Sequence, residues 1–176
     1  APGSSGASAV ALAGKYAYVA AGHDGLRAID VSNPVSPTEV SSYTISDYAY
    51  DVAVAGDYAY VAADNAGLYI VDISNPLSPT LTDVYTALES TQGVAVAGDY
   101  AYLVGDESGS EGYLQVVNIA DPAHPTQVGF YYTLAEAYAV AVAASGTEAY
   151  IYVADSAGGL VILRVRYRLF LPLVLR

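Results

Sequence analysis

Four aspartates stand in or beside glycine-bearing loops of this chain: Asp24 in HDG, Asp64 in DNAG, Asp106 in DESGSEG and Asp155 in DSAGG. If those loops gather on one rim, their carboxylates offer the oxygen ligands that a hard cation such as Ca²⁺ takes in sets of six to eight. Asp106, Glu107 and Glu111 form the best local cluster. The four loops share no ligand spacing, however, and Asp and Gly suit tight turns for backbone reasons alone. No metal or other cofactor is therefore expected, with Ca²⁺ as the alternative these carboxylates leave open.

A second set, Asp30, Asp72 and Asn118, precedes the phrases VSNPVSPT, ISNPLSPT and IADPAHPT. A short side chain there accepts backbone amide hydrogen bonds and fixes a turn. A catalytic carboxylate would not be copied so regularly and then exchanged for Asn. His23 and His124 fall in different contexts with no repeated partner, which argues against a catalytic or metal pair. The chain has no Cys, no Gly-x-Ser-x-Gly elbow, no phosphate-binding glycine loop and no Asn-x-Ser/Thr acceptor. A non-enzymatic protein is expected. The pairs Tyr16/Tyr18, Tyr58/Tyr60, Tyr100/Tyr102 and Tyr150/Tyr152 keep strand spacing in every copy, which favours packing over a carbohydrate-stacking surface.

These residues recur because the chain repeats. Gly14, Gly56 and Gly98 are 42 and 42 residues apart, and Pro34, Pro76 and Pro122 are 42 and 46 apart, the extra four lying in DESGSEG. A fourth copy starts near residue 139 and loses the Asn-Pro phrase. Such a period marks an array of supersecondary units. Within the second copy, DVAVA (51–55) and YAYVA (58–62) alternate around Gly56-Asp57 and predict a hairpin. A third strand is predicted over 68–73 and a fourth over 81–86, separated by prolines that lack an amide donor. No helical period occurs. The hairpin strands place Val or Tyr on one face and Ala on the other, so both faces of each sheet are expected to be buried. Radial stacking of four-stranded sheets does this, which predicts an all-β, four-bladed β-propeller or propeller-like array, with blades about 9–50, 51–92, 93–138 and 139–165 after an N-terminal segment 1–8.

The phrases VAVAGDYAYVAADNAGLYIVDISNPLSPT and AGKYAYVAAGHDGLRAIDVSNPVSPT resemble the LVIVD repeat, a blade-type repeat of bacterial and archaeal surface or secreted proteins. The likeness runs over about residues 9–165. It implies propeller blades and a surface location, and implies no reaction. The fourth copy departs from the pattern, with Arg164 where Asp30 and Asp72 stand.

Charge and the two ends complete the reading. The last 13 residues hold four of the six basic residues and no acid. Residues 1–163 therefore carry two basic against 18 acidic residues, a net of −16, and the tail carries +4. So acidic a body repels phosphate backbones, and nucleic acid is not an expected partner. No apolar run reaches the roughly 20 residues of a membrane-spanning helix. The start, APGSSGAS, is expected to be a mature end left by removal of a secretion signal, placing the protein outside the cell or on its surface. The end, RVRYRLFLPLVLR (164–176), is apolar from 169 to 175 and needs cover. Two berths are open to it: the missing fourth strand of its own last blade, or a neighbouring copy reached by strand addition. Arg164, Arg166, Arg168, Leu169, Phe170, Leu171, Leu173 and Leu175 are the candidate assembly residues. The expected role is structural or adhesive, with self-association into a filament or oligomer. The alternative is a monomeric surface module whose rim loops bind a glycan, a protein or Ca²⁺.

Overall fold

The structure, a computed structural model, describes residues 6–86, 90–107, 111–145 and 148–166. Every element in these residues is a strand. Blade 1 comprises β1 (Ala9–Ala13), β2 (Tyr16–Ala20), β3 (Leu26–Asp30) and β4 (Thr38–Tyr43). Blade 2 comprises β5 (Asp51–Ala55), β6 (Tyr58–Ala62), β7 (Leu68–Asp72) and β8 (Thr80–Tyr85). Blade 3 comprises β9 (Ser90–Ala97), β10 (Tyr100–Glu107), β11 (Glu111–Asn118) and β12 (Thr126–Tyr132). Blade 4 has three strands among the described residues, β13 (Ala137–Ser145), β14 (Glu148–Asp155) and β15 (Gly159–Arg166). Each sheet runs in sequence order and is antiparallel throughout.

Local chemistry explains the shared blade plan. Gly56 opens the first hairpin turn at φ 57°, a left-handed value that glycine adopts without a Cβ clash, and Gly14 and Gly98 repeat it. The turn sets the register Ala55↔Tyr58 and Ala53↔Tyr60. Blade 4 has a longer hairpin yet keeps the same pairing, Ala143↔Tyr150 and Ala141↔Tyr152. The pairing of third and fourth strands shifts at the same point in each full blade, between Ala28 and Ile29, Ile70 and Val71, and Val116 and Val117. Such a bulge sharpens the local twist. The third strand of blade 2 ends at Asp72, one residue short of the predicted 73, because the Asp72 side chain already holds the turn.

Strand alternation gives every blade two faces, here called forward, toward the next blade, and rear, toward the previous one. The innermost strands β1, β5, β9 and β13 lie side by side in that order. The forward face of blade 1, with Tyr18, Ala20, Leu26 and Ala28, meets Val52, Ala59, Val61 and Val71 on the rear face of blade 2. Tyr60, Ala62, Leu68 and Ile70 then meet Val94, Ala101, Leu103 and Val117 of blade 3. Last, Tyr102, Val104, Leu114 and Val116 meet Ile151 and Val153 of blade 4. Among the described residues four blades thus make three interblade cores.

The expectation that every sheet buries both faces holds for blades 2 and 3 and fails at the ends. The rear face of blade 1 exposes Val10 and Leu12, and the forward face of blade 4 exposes Tyr150, Leu160 and Ile162. Among the described residues each end blade packs on one neighbouring blade, so they form an open arc.

Candidate functional site: rim, turns and the two free faces

The outer turns come first, since the carboxylates there are the most regular in sequence. Asp30 Oδ1 accepts the Ser32 amide at 2.9 Å, Asp72 Oδ1 the Ser74 amide at 2.8 Å, and Asn118 Oδ1 the Ala120 amide at 2.9 Å. Three residues further on, Asn33, Asn75 and Asp121 accept the amides of Val35, Leu77 and Ala123 in the same manner. Asp30 is also bonded by Lys15 Nζ at 3.0 Å. Hydrogen bonds from Ser32, then from Lys15, hold its carboxyl down at about 2. Ser74 likewise lowers Asp72. These groups are turn formers: Asp30, Asp72 and Asp121 as carboxylates, and Asn33, Asn75 and Asn118 as neutral amides, each with an oxygen on a backbone amide.

The rim aspartates do not converge. Asp64, with φ 43°, exchanges backbone hydrogen bonds with Thr91 at 3.1 and 3.0 Å, and its Oδ1 accepts Ser90 Oγ at 2.9 Å. It therefore laces blade 2 to the entry of blade 3. Gly22 and Ala49 form the matching lace between blades 1 and 2. The Asp24 amide donates to the Ala21 carbonyl within its turn. Asp155 is buried and accepts the Leu134 amide at 3.2 Å, pinning the crossing from blade 3 to blade 4. Asp106 accepts a hydrogen bond from Gln92 Nε2. Asp106, Glu107 and Glu111 lie at the end of the β10–β11 hairpin, where Glu107 pairs with Glu111 across the ladder. Among the described residues no three His, Cys, Asp or Glu side chains stand close enough to share a metal ion.

The remaining sequence candidates separate in the same way. His23 packs edge-on to Tyr48, ring centroids 5.0 Å apart, while His124 Nδ1 lies 2.8 Å from Asp121 Oδ2 in an exposed turn. That contact raises the His124 imidazole and lowers Asp121. The inner tyrosines Tyr18, Tyr60 and Tyr102 are buried in interblade cores, and burial pushes Tyr60 up to about 12. Tyr150 and Tyr152 hold the same register in blade 4 but face outward from the array. Arg164 is exposed on β15, paired in register with Tyr150, and Arg166 ends that strand. Arg168, Leu169, Phe170, Leu171, Leu173 and Leu175 lie outside the described residues.

Two features that no single motif announces follow from the arc. One is a cleft of about 240 Å³ between blades 3 and 4, lined by Leu114, Phe130, Tyr131, Ile151, Leu163 and Val165. Between blades 1 and 2 the fourth strand of the later blade contributes Val84 to the core, and β15 has no such outer neighbour among the described residues. The other is the pair of free faces. Leu26, Leu68 and Leu114 occupy one repeat position and are 1, 0 and 2% exposed, whereas Leu160 at that position is 63% exposed. On the rear side, Val52 and Val94 are 5 and 4% exposed, and Val10, their counterpart, is 63% exposed. Comparing repeats shows these residues to be equivalent; which copy stands at an end of the arc is the information a single repeat lacks.

Comparisons with known proteins agree with this geometry. The LVIVD repeat matches residues 5–45, 46–87, 90–133 and 137–165. A search of curated proteins found no match. Among solved structures, the computationally designed Ika4 protein superposes with a TM-score of 0.67 at 8% identity, covering 92% of either chain. The β-propeller domain of Cps50 (Swd1) from Myceliophteria thermophila gives 0.68 at 14% identity, over 90% of this chain and 50% of that one. A functionally unknown protein from Desulfotomaculum acetoxidans gives 0.68 at 13% identity, over 94% and 57%. The chain thus spans about half the length of these two larger neighbours. With four repeats matched over most of its length and a propeller architecture, this chain belongs to the LVIVD-repeat family.

Proposed function

We propose that the protein is a non-enzymatic structural or adhesive repeat protein of the cell surface or extracellular space, acting through self-association. One observation carries this reading: an array of packed blades ends on both sides in sheet faces that are apolar and exposed. Repeat arrays that stay monomeric close their ends with polar capping faces. Here Val10 and Leu12 at one end, and Leu160 and Ile162 at the other, keep the residue types of the buried repeats. The carboxylates of Asp30, Asp72 and Asp155 accept backbone amides, and those of Asp64 and Asp106 accept the Ser90 hydroxyl and the Gln92 amide, contacts that support a scaffold role for the residues that suggested chemistry.

The apolar end of the sequence is a second adhesive element, suited to the edge of β15 that is unpaired among the described residues, in its own blade or in a neighbour's. Sedimentation of the full chain over a wide concentration range tests the reading, beside a chain ending at residue 167. Association that grows with concentration supports it, and loss of association in the shortened chain assigns the contact to the tail. A full chain that stays monomeric, and whose melting rises with added Ca²⁺ or glycans, overturns it in favour of a binding module.

A further inference from the structure

We infer that two copies of this chain close into a single eight-bladed ring, the rear face of blade 1 in each copy seated on the forward face of blade 4 in the other. This rests on the self-association just proposed and names its partner and geometry.

The first ground is that the two free faces are halves of an interface the chain already builds three times. On the forward face of blade 4, Tyr150, Tyr152, Ala154, Leu160 and Ile162 hold the register of Tyr58, Tyr60, Ala62, Leu68 and Ile70 in blade 2. Those blade 2 residues pack on the rear face of blade 3. On the rear face of blade 1, Val10, Leu12 and Val19 hold the register of Val52, Val54 and Val61. Those pack on the forward face of blade 1. Each free face is therefore shaped for the other, and among the described residues of one chain they do not meet.

The second ground is curvature. A forward-on-rear contact is head to tail, so repeated copies either close into a ring or run on as a helix, according to the rotation per copy. Ninety per cent or more of this chain superposes on 50 to 57% of two larger propeller-type chains. Its four blades thus follow the arc of rings about twice its length. Two such arcs give eight blades, within the common range of four to eight for closed propellers. Closure also removes both apolar ends at once, which no open filament achieves.

The test uses the full chain and two single substitutions, Leu12→Asp and Leu160→Asp. Both side chains are exposed in the isolated arc, so each variant keeps its strand circular dichroism. Native mass spectrometry and sedimentation are expected to show a species of twice 18.2 kDa that grows no further with concentration. Leu160→Asp is expected to weaken dimerisation at least about a hundredfold, since both contacts of the ring then contain a buried carboxylate, and Leu12→Asp less steeply, because its counterparts Val54 and Val96 are half-buried. An equimolar mixture is expected to associate more tightly than either variant alone, because one intact rear face then meets one intact forward face. A mixture no better than its components, or a dimer indifferent to both substitutions, overturns the ring. Growing polymers overturn closure and leave self-association standing. A monomer at every concentration overturns both.

Discussion

The four equivalent leucines give the most direct test of the open arc. Leu26, Leu68 and Leu114 lie in the three interblade cores, whereas Leu160 is 63% exposed at the same repeat position. Changing a fully buried Leu to Ala costs about 2–5 kcal/mol, the lost transfer energy plus the cavity left behind. Complete burial of a leucine side chain is itself worth about 1.5–3 kcal/mol. With only a third of Leu160 covered and no cavity to leave, Leu160→Ala should cost under about 1 kcal/mol in the monomer. Urea unfolding, at a dilution where sedimentation shows one copy, compares the four variants through their midpoints, with the slope held unchanged as a check on the unfolding unit. At concentrations where dimer forms, the penalty for Leu160→Ala should rise toward the other three, because assembly buries it. If Leu160→Ala in the dilute monomer costs as much as Leu68→Ala, blade 4 is covered within the chain and the open arc is wrong.

Two further perturbations probe the scaffold. Gly25, at φ 77°, has no room for a Cβ: the atom would overlap the Tyr43 carbonyl oxygen and lie 2.8 Å from the Ile45 amide. Gly25→Ala should destabilise by more than about 1 kcal/mol, read as a fall in the urea midpoint; a neutral result refutes the close approach. The turn carboxylates set the acid limb of stability. Asp30, at about 2, and the lowered Asp72 and Asp121 are all depressed below the ordinary carboxylate value by hydrogen bonds made in the fold. Their contribution is present above the unfolded value near 4 and is lost as pH falls toward 2. Asp51 runs the other way, since burial raises its carboxyl, and its effect is to lower stability as pH climbs from about 4 toward that raised value. Asp72→Asn, which retains an acceptor for Ser74, should therefore shrink the loss between pH 4 and 2, and an unchanged acid limb counts against the assignment.

How far the sequence reaches depends on the range of the physics involved. The hairpin at Gly56-Asp57 and the strand-ending Asp72 turn arise from contacts within a dozen residues of one another, so the 42-residue period states them plainly. The inner tyrosines were legible as packing residues for a similar reason, since strand spacing is a local signal. The rim aspartates were harder. Asp64 was a candidate ligand by residue type, but its backbone hydrogen bonds reach Thr91 in the following blade. Asp155 falls at the repeat position of Ala63, Ala21 and Gly105, where a small residue is the rule. Residue type grouped it with the loop aspartates, whereas the ladder shows the exchange and its carboxylate accepts the Leu134 amide.

Curvature is the property the repeat conceals, because it is the sum of small rotations between blades and no residue encodes the total. Val10 and Val52 are the same letter in the same phrase, yet one is exposed and the other buried. The sequence does differ at the ends in a telling way. Arg27 stands on the rear side of blade 1 where Tyr69 stands in blade 2, and it pairs with Glu39 at 3.2 Å. Arg164 replaces the turn aspartate on blade 4. Both changes fall on the third strand, while the first two strands of each end blade keep Val, Leu, Ala and Tyr at the facing positions. A surface meant only for water would have been changed along its whole width. An apolar centre with charge toward one side is instead the anatomy expected of the interface proposed above, where a desolvated middle is bordered by polar groups.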